Sequence, residues 1–189
     1  MSNVLVIHPD DRSTDFLKLI YDGKGYDVIN FKDAFKGDAL KNHPDECKEF
    51  VREQIRLHDK IIMLGHGTPN GLLNPRVGGY IVDDSFADML RDKEVVSIWC
   101  YSDMFFKRNN IFNKQFHTGM IISEVLEQLL MLERVYLDYN QQLENMELFG
   151  KVVGECIEES PEEMKEYILS HYVGDDPVTK FNRKNILVF

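Results

Sequence analysis

Two short stretches of the chain carry residues able to do covalent chemistry. IIMLGHGTPNGLL (Ile61–Leu73) opens as an apolar run and stops at Gly65-His66-Gly67. VVSIWCYS (Val95–Ser102) is a second apolar run, and it ends on Cys100, thirty-four residues after His66. A thiol beside an imidazole is a nucleophile beside a base, the pairing that covalent acyl transfer needs. Each residue alone has an ordinary explanation: a cysteine at a strand end is commonly a small buried hydrophobe, and His-Gly is commonly a turn. The pair stands out because both residues end successive apolar runs. Gly65 and Gly67 allow a sharp backbone turn. The N–H groups of Gly67 and Cys100 are candidate donors to an oxyanion. Thr68-Pro69-Asn70-Gly71 is expected to frame the site.

The elements that must position these residues follow from periodicity. Asn3–Ile7, Tyr26–Phe31, Lys60–Leu64 and Glu94–Cys100 read as strands. Between them, helical spacing begins near Asp15, capped by Ser13 or Thr14, and recurs over Pro44–His58 and Ser85–Arg91. Gly78–Asp84 reads as a short hairpin arm. Alternating strands and helices predict a mainly parallel sheet covered on both faces. Ligands in such sheets bind beyond the carboxyl ends of the strands, so neighbouring third and fourth strands bring His66 and Cys100 to one edge. His8, at the end of the first strand, is a further candidate for that edge. The chain then becomes helical over Met120–Arg134, Val135–Gly154 and Pro161–Tyr172, before NILVF (Asn185–Phe189) returns as a strand. One domain spanning residues 1–189 is the economical reading.

LGHGTPNGLL followed by VVSIWCYS resembles the caspase-like cysteine peptidases (caspase–hemoglobinase fold), with bacterial CHAT, gingipain and metacaspase types nearest in character. In that family the catalytic histidine lies in a His-Gly motif after the third strand and the catalytic cysteine ends the fourth. The resemblance maps His66 and Gly67 onto the first motif and Cys100 onto the second, and TGMIISE (Thr118–Glu124) looks like the segment that follows the cysteine in bacterial members. It covers Val4–Glu127 in layout. The sequence departs from the family at Trp99, where small residues are common, and at Tyr101-Ser102-Asp103.

The resemblance implies a three-layer α/β/α sandwich with extra C-terminal helices. It also implies peptide-bond hydrolysis by a His66–Cys100 dyad, with Gly67 and Cys100 amides as the oxyanion hole. The loop after the first strand would line the substrate pocket, where His8, Asp10, Asp11 and Arg12 stand. Two carboxylates against one guanidinium predict a preference for a basic residue; the other reading of these carboxylates is that Asp10 or Asp11 caps the turn and the next helix. The alternative is a catalytically inactive module of the same fold that binds a peptide or protein. A third reading, a flavodoxin-like or response-regulator-like domain, would use Asp10 and Asp11 to hold Mg²⁺, but gives His66 and Cys100 no task.

Composition narrows the remaining classes. The 189 residues suffice for one sizeable core. A net charge of −10 argues against nucleic acid as a partner. Twelve acidic residues against three basic ones fall between Glu133 and Asp176. That imbalance reads as a solvated face, or as a surface for a basic protein partner. No apolar run reaches the roughly 20 residues of a membrane helix, and the N-terminus lacks signal-peptide character, so a cytoplasmic protein is expected. Cys47, Cys100 and Cys156 are too few and too scattered for a disulfide framework or a four-cysteine zinc site. Cys47 and Cys156 are expected in the core. The histidines have no metal-ligand spacing, and neither metal nor cofactor is expected. His117 is a possible pocket residue; His43, His58 and His171 fall at helix boundaries.

Overall fold

The structure, a computed structural model, describes residues 3–9, 11–30, 44–74, 79–112 and 114–188. Asp10 and His43 lie outside the described residues. Six strands form the principal sheet: β1 (Val4–Ile7), β2 (Asp27–Ile29), β3 (Lys60–Leu64), β7 (Glu94–Ile98), β8 (Gln115–Thr118) and β9 (Ile186–Val188). They lie in the order β2-β1-β3-β7-β8-β9, and every pairing is parallel except the last, β8 with β9. A second, antiparallel sheet is built from β4 (Gly67–Thr68), β5 (Gly71–Asn74) and β6 (Gly79–Val82). It realises the expected arm and enlarges it, since the residues just after His66 form one of its edges.

The residues of β1, β3 and β8 are buried without a break, because both faces are covered there, whereas β2 at the sheet edge exposes Asp27 and Val28. Alternate side chains go to opposite faces. Leu5, Ile7, Ile61, Met63 and Val95 join one core with Val51 and Ile55 of α1 (Pro44–Leu57), Leu90 of α2 (Ala87–Leu90) and Phe105 and Phe106 of α3 (Ser102–Arg108). Val4, Val6, Ile62, Leu64, Val96 and Ile98 join the other. There they meet a 3-10 segment (Arg12–Ile20), α5 (Tyr139–Cys156) and α6 (Pro161–His171). The C-terminal helices expected as extras therefore cover one sheet face together with the 3-10 segment. The helix start at Ser160-Pro161 is as read: Ser160 accepts from Glu163 N–H and Glu163 reaches back to Ser160. Two further helices, α4 (Val125–Leu132) and α7 (Pro177–Lys184), complete this side.

Cys47 and Cys156 are buried in the two cores, as expected. His58 turns back to Gln54 O at 2.7 Å, filling the boundary role expected of it. His117 is a correction. Expected as a possible pocket residue, His117 instead lies in β8, the strand that follows α3, and is fully buried there. Its Nδ1 lies 2.7 Å from Ser97 Oγ, and its ring centroid is 4.3 Å from that of Phe106. Burial, helped by the charge of Lys107, pushes its pKa down to about 3.

The sign of the consequence is fixed. Above pH ~6.5 neither state holds the proton; below it the unfolded chain takes one up and the folded chain does not. Stability should then fall with pH by up to about 1.4 kcal/mol per unit. Denaturant titrations from pH 7 to pH 4 should show this slope diminished in His117→Gln. An identical slope in the variant would assign the acid sensitivity to other groups.

Candidate functional site

The order of the strands creates the site. The connection leaving β1 runs over one sheet face and the connection leaving β3 over the other, so the chain diverges above the β1–β3 boundary. Such a switch point is where open α/β sheets bind ligands. The loop after β1 brings Asp11 and Ser13 there; the loop after β3 brings His66. The neighbouring β7 brings Cys100.

The turn at His66 is built on Gly65, whose φ of 139° lies where side chains other than hydrogen are strained. Gly65 N–H donates to Ile98 O at 3.1 Å, which ties the turn to the end of β7. Gly67 answers a different need. A Cβ there would lie 2.0 Å from Trp99 Cδ1, because the indole packs flat on this backbone and donates to Thr68 O at 3.3 Å. The bulky residue before the cysteine and the glycine after the histidine thus fit one another. Leu73 N–H donates to His66 O at 2.8 Å, so His66 and Leu73 form a hydrogen-bonded pair. The alternation of an antiparallel ladder then directs Gly67 N–H away from β5, towards the open edge of β4.

The turn at Cys100 is pinned from beneath. Ser102 Oγ lies 3.1 Å from Ser97 O and 2.8 Å from Thr118 O, and Thr118 Oγ1 donates to Trp99 O. Tyr101 is forced into the left-handed region (φ 65°, ψ 28°), a conformation costing a residue with a Cβ about 1–2 kcal/mol. Strain of this kind persists where the surroundings over-determine it, and here it sits immediately after the cysteine.

His66 and Cys100 line one cavity, of about 20 Å³, with Thr14, Phe16, Trp99, Ile121 and Ser123 among its other walls. That is room for a single water-sized group. Their hydrogen bonds go elsewhere. Cys100 Sγ donates to Ile121 O at 3.6 Å. Burial pushes the thiol pKa up to about 11, so the sulfur is neutral at pH 7. The accepting carbonyl is itself held in place: Asn182 and Gln142 both donate to the adjacent Ile122 O, and Ile122 N–H donates to Asn182. His66 Nε2 lies 2.6 Å from Ser13 Oγ and 3.8 Å from an oxygen of Asp11.

The residues expected in the substrate pocket separate. His8 is buried and turned to the protein: Nδ1 lies 3.0 Å from Tyr21 OH and Nε2 3.2 Å from Thr14 Oγ1, so it braces the 3-10 segment and does not line the cavity. Asp11 caps that segment through Ser13 N–H at 2.9 Å, so the cap is Asp11 and not Ser13 or Thr14. Arg12 lines a groove of about 440 Å³ with Phe16, Leu126, Tyr139, Leu143 and Met146. This groove shares Phe16 and Ser123 with the cavity. The basic preference expected from the loop loses Asp11, whose carboxylate is committed to Ser13 and the His66 side.

The sequence offered Ser13 only as a helix cap and Ser123 only within TGMIISE, and assigned Asn182 no role; a single serine or asparagine carries no spacing pattern that points to a site. Among the described residues, no three or more of His, Cys, Asp and Glu gather to hold a metal ion. No helix among them is long and apolar enough to cross a membrane.

No protein-family model matches the chain, and no curated protein matches it. One solved structure similar to part of it is the Trp repressor binding protein from Bacillus subtilis. The identity is 9%, over 59% of this chain and 82% of that one, with a TM-score of 0.32.

Proposed function

We propose that the chain is a caspase-like cysteine peptidase of α/β/α sandwich form, acting through His66 and Cys100. The observation that carries this reading is their placement: one follows the third strand of the parallel sheet and the other the fourth, and both border the same cavity at its carboxyl edge. Cys100 Sγ attacks the peptide carbonyl carbon and its proton passes to His66. The oxyanion that forms takes hydrogen bonds from the Gly67 and Cys100 N–H groups. His66 then protonates the departing amine, leaving a thioester that water hydrolyses. Catalytic hydrogen bonds are often long before substrate binds, and the neutral thiol on Ile121 O is the resting arrangement.

The substrate is a polypeptide. Its side chain beside the scissile bond enters the Arg12 groove, whose walls favour an apolar residue. Beyond the groove, Leu129 and Leu130 of α4 are exposed although α4 is a largely apolar helix, while Gln128 is buried. Gln128 holds the helix in this sense by accepting from Tyr136 and Leu137 N–H and donating to Leu137 O and Gln142. Glu124, Glu133, Asp138, Glu144 and Glu147 are exposed at the ends of α4, in the connection to α5 and on α5. Exposed leucines one helical turn on from Leu126 of the groove wall, edged by acid, suit a substrate segment carrying apolar and basic side chains.

Turnover of unfolded casein and of short peptides tests this. Leu129→Asp with Leu130→Asp should raise KM for casein roughly tenfold, the effect of losing about 1.4 kcal/mol of binding. Short peptides should be cleaved as before. Equal loss on both substrates would remove the extended surface from the account.

The high thiol pKa favours a second reading, an inactive module that binds peptides through the same groove. It predicts peptide binding without cleavage, unaffected by Cys100→Ala.

A further inference from the structure

We infer that Ser13 is a positioning residue that fixes the tautomer of His66, placing the ring proton on Nε2 and leaving Nδ1 as the proton acceptor. The inference follows from counting protons. Ser13 Oγ lies 2.8 Å from Asp11 Oδ1 and 2.6 Å from His66 Nε2. A serine hydroxyl has one hydrogen, and an ionised carboxylate can only accept. The hydrogen therefore points to Asp11, and the hydroxyl oxygen is left to accept. Its partner at 2.6 Å must be a donor, so Nε2 carries hydrogen. The reverse arrangement would set two lone pairs against each other at the Asp11–Ser13 contact.

The second Asp11 oxygen, 3.8 Å from Nε2, favours hydrogen on the same side. The relay is rigid at its base: Asp11 also accepts from Ser13 N–H at 2.9 Å, which makes the carboxylate the cap of the 3-10 segment. One carboxylate thus starts a helical segment and orients a histidine fifty-five positions away in the chain. In neutral imidazole only one nitrogen can receive a proton, and the relay decides which.

The tautomer is a property of the folded chain whatever its activity; its meaning for catalysis rests on the peptidase reading. In that reading Nδ1 takes the thiol proton, while Ser13 touches neither substrate nor the reacting atoms.

Protein labelled with ¹⁵N-histidine, observed by two-bond ¹H–¹⁵N correlation at a pH where His66 is neutral, tests this. His66→Gln assigns the signals. The wild type should show His66 in the Nε2–H form. Ser13→Ala should give a mixture with the Nδ1–H form, and Ser13→Thr, which keeps the hydroxyl, should restore the wild-type pattern. Peptide turnover should fall about tenfold in Ser13→Ala and recover in Ser13→Thr. An Nδ1–H tautomer in the wild type overturns the inference, and so does a Ser13→Ala spectrum identical to wild type. Expected spectra with no turnover in the wild type would support the tautomer and reject the peptidase reading.

Discussion

Cys100→Ala is expected to abolish peptide hydrolysis, lowering kcat/KM by roughly 10³-fold or more while leaving the fold intact. The fold should tolerate the change because the cysteine's side chain contributes little to the packing that holds its turn. That turn is fixed by Ser102 and Thr118 hydrogen bonds to neighbouring backbone, and by Tyr101 N–H donating to Gly119 O at 3.1 Å. The lost group is a thiol that donates to Ile121 O at 3.6 Å. Cys47 and Cys156 serve as internal controls. Both are buried among apolar side chains, and burial pushes the Cys156 thiol up to about 12. Their alanine variants should lose about 1 kcal/mol of stability and no activity. Turnover of peptide by purified variants checks the first expectation, and urea titrations the second. Wild-type turnover in Cys100→Ala would end the nucleophile assignment.

Trp99→Ala is expected to have the largest effect on stability, about 3–5 kcal/mol. The indole is almost fully buried and lies 5.9 Å from the Phe105 ring and 6.1 Å from the Phe106 ring, centroid to centroid. Its N–H reaches across to Thr68 O. Removing it empties the contact between the His66 turn and the Cys100 turn, so the damage should extend beyond the cavity. The remaining activity should fall together with stability, since Trp99 also walls the cavity beside Cys100. Gly67→Ala tests the same contact from the other side. The added methyl must displace the ring, at a cost of about 2 kcal/mol. Urea midpoints of the two single variants and the double variant check this. If the residues form one contact, Gly67→Ala should cost much less once Trp99 is gone. Strictly additive losses would show that the glycine is required for some other reason.

Much of the frame was legible because buried parallel strands are unbroken apolar runs and the helices between them keep a clear period. Lys60–Leu64 is where the pattern puts it, and Glu94–Ile98 stops two residues short of the expected Glu94–Cys100; the two are neighbours in register from Lys60–Glu94 to Leu64–Ile98. His66 and Cys100 reach one edge for that reason. The rest depended on signals the sequence does not carry locally. β8 was hidden because Gln115, His117 and Thr118 are polar residues in fully buried positions, a composition that reads as loop. The 3-10 segment starts one residue after Asp11, and in a run of Asp, Ser and Thr any of these side chains can serve as the cap. Trp99 packs against Gly67, a contact that nothing near either residue in the chain announces. The small residue that allows the close approach is thirty-two positions away. The orientation of α4 could not be foreseen from periodicity, since Gln128 faces inward and the leucines outward.

The central claim is that His66 serves Cys100 as proton acceptor when a peptide carbonyl is present. Labelling by a peptidyl acyloxymethyl ketone with an apolar side chain next to the reactive carbon, mapped by tandem mass spectrometry in wild type and His66→Ala, tests it most directly. The account predicts an adduct on Cys100 in the wild type, formed at least about 10²-fold more slowly in His66→Ala. Equal rates in the two proteins, or an adduct on Cys47 or Cys156 in place of Cys100, would contradict it.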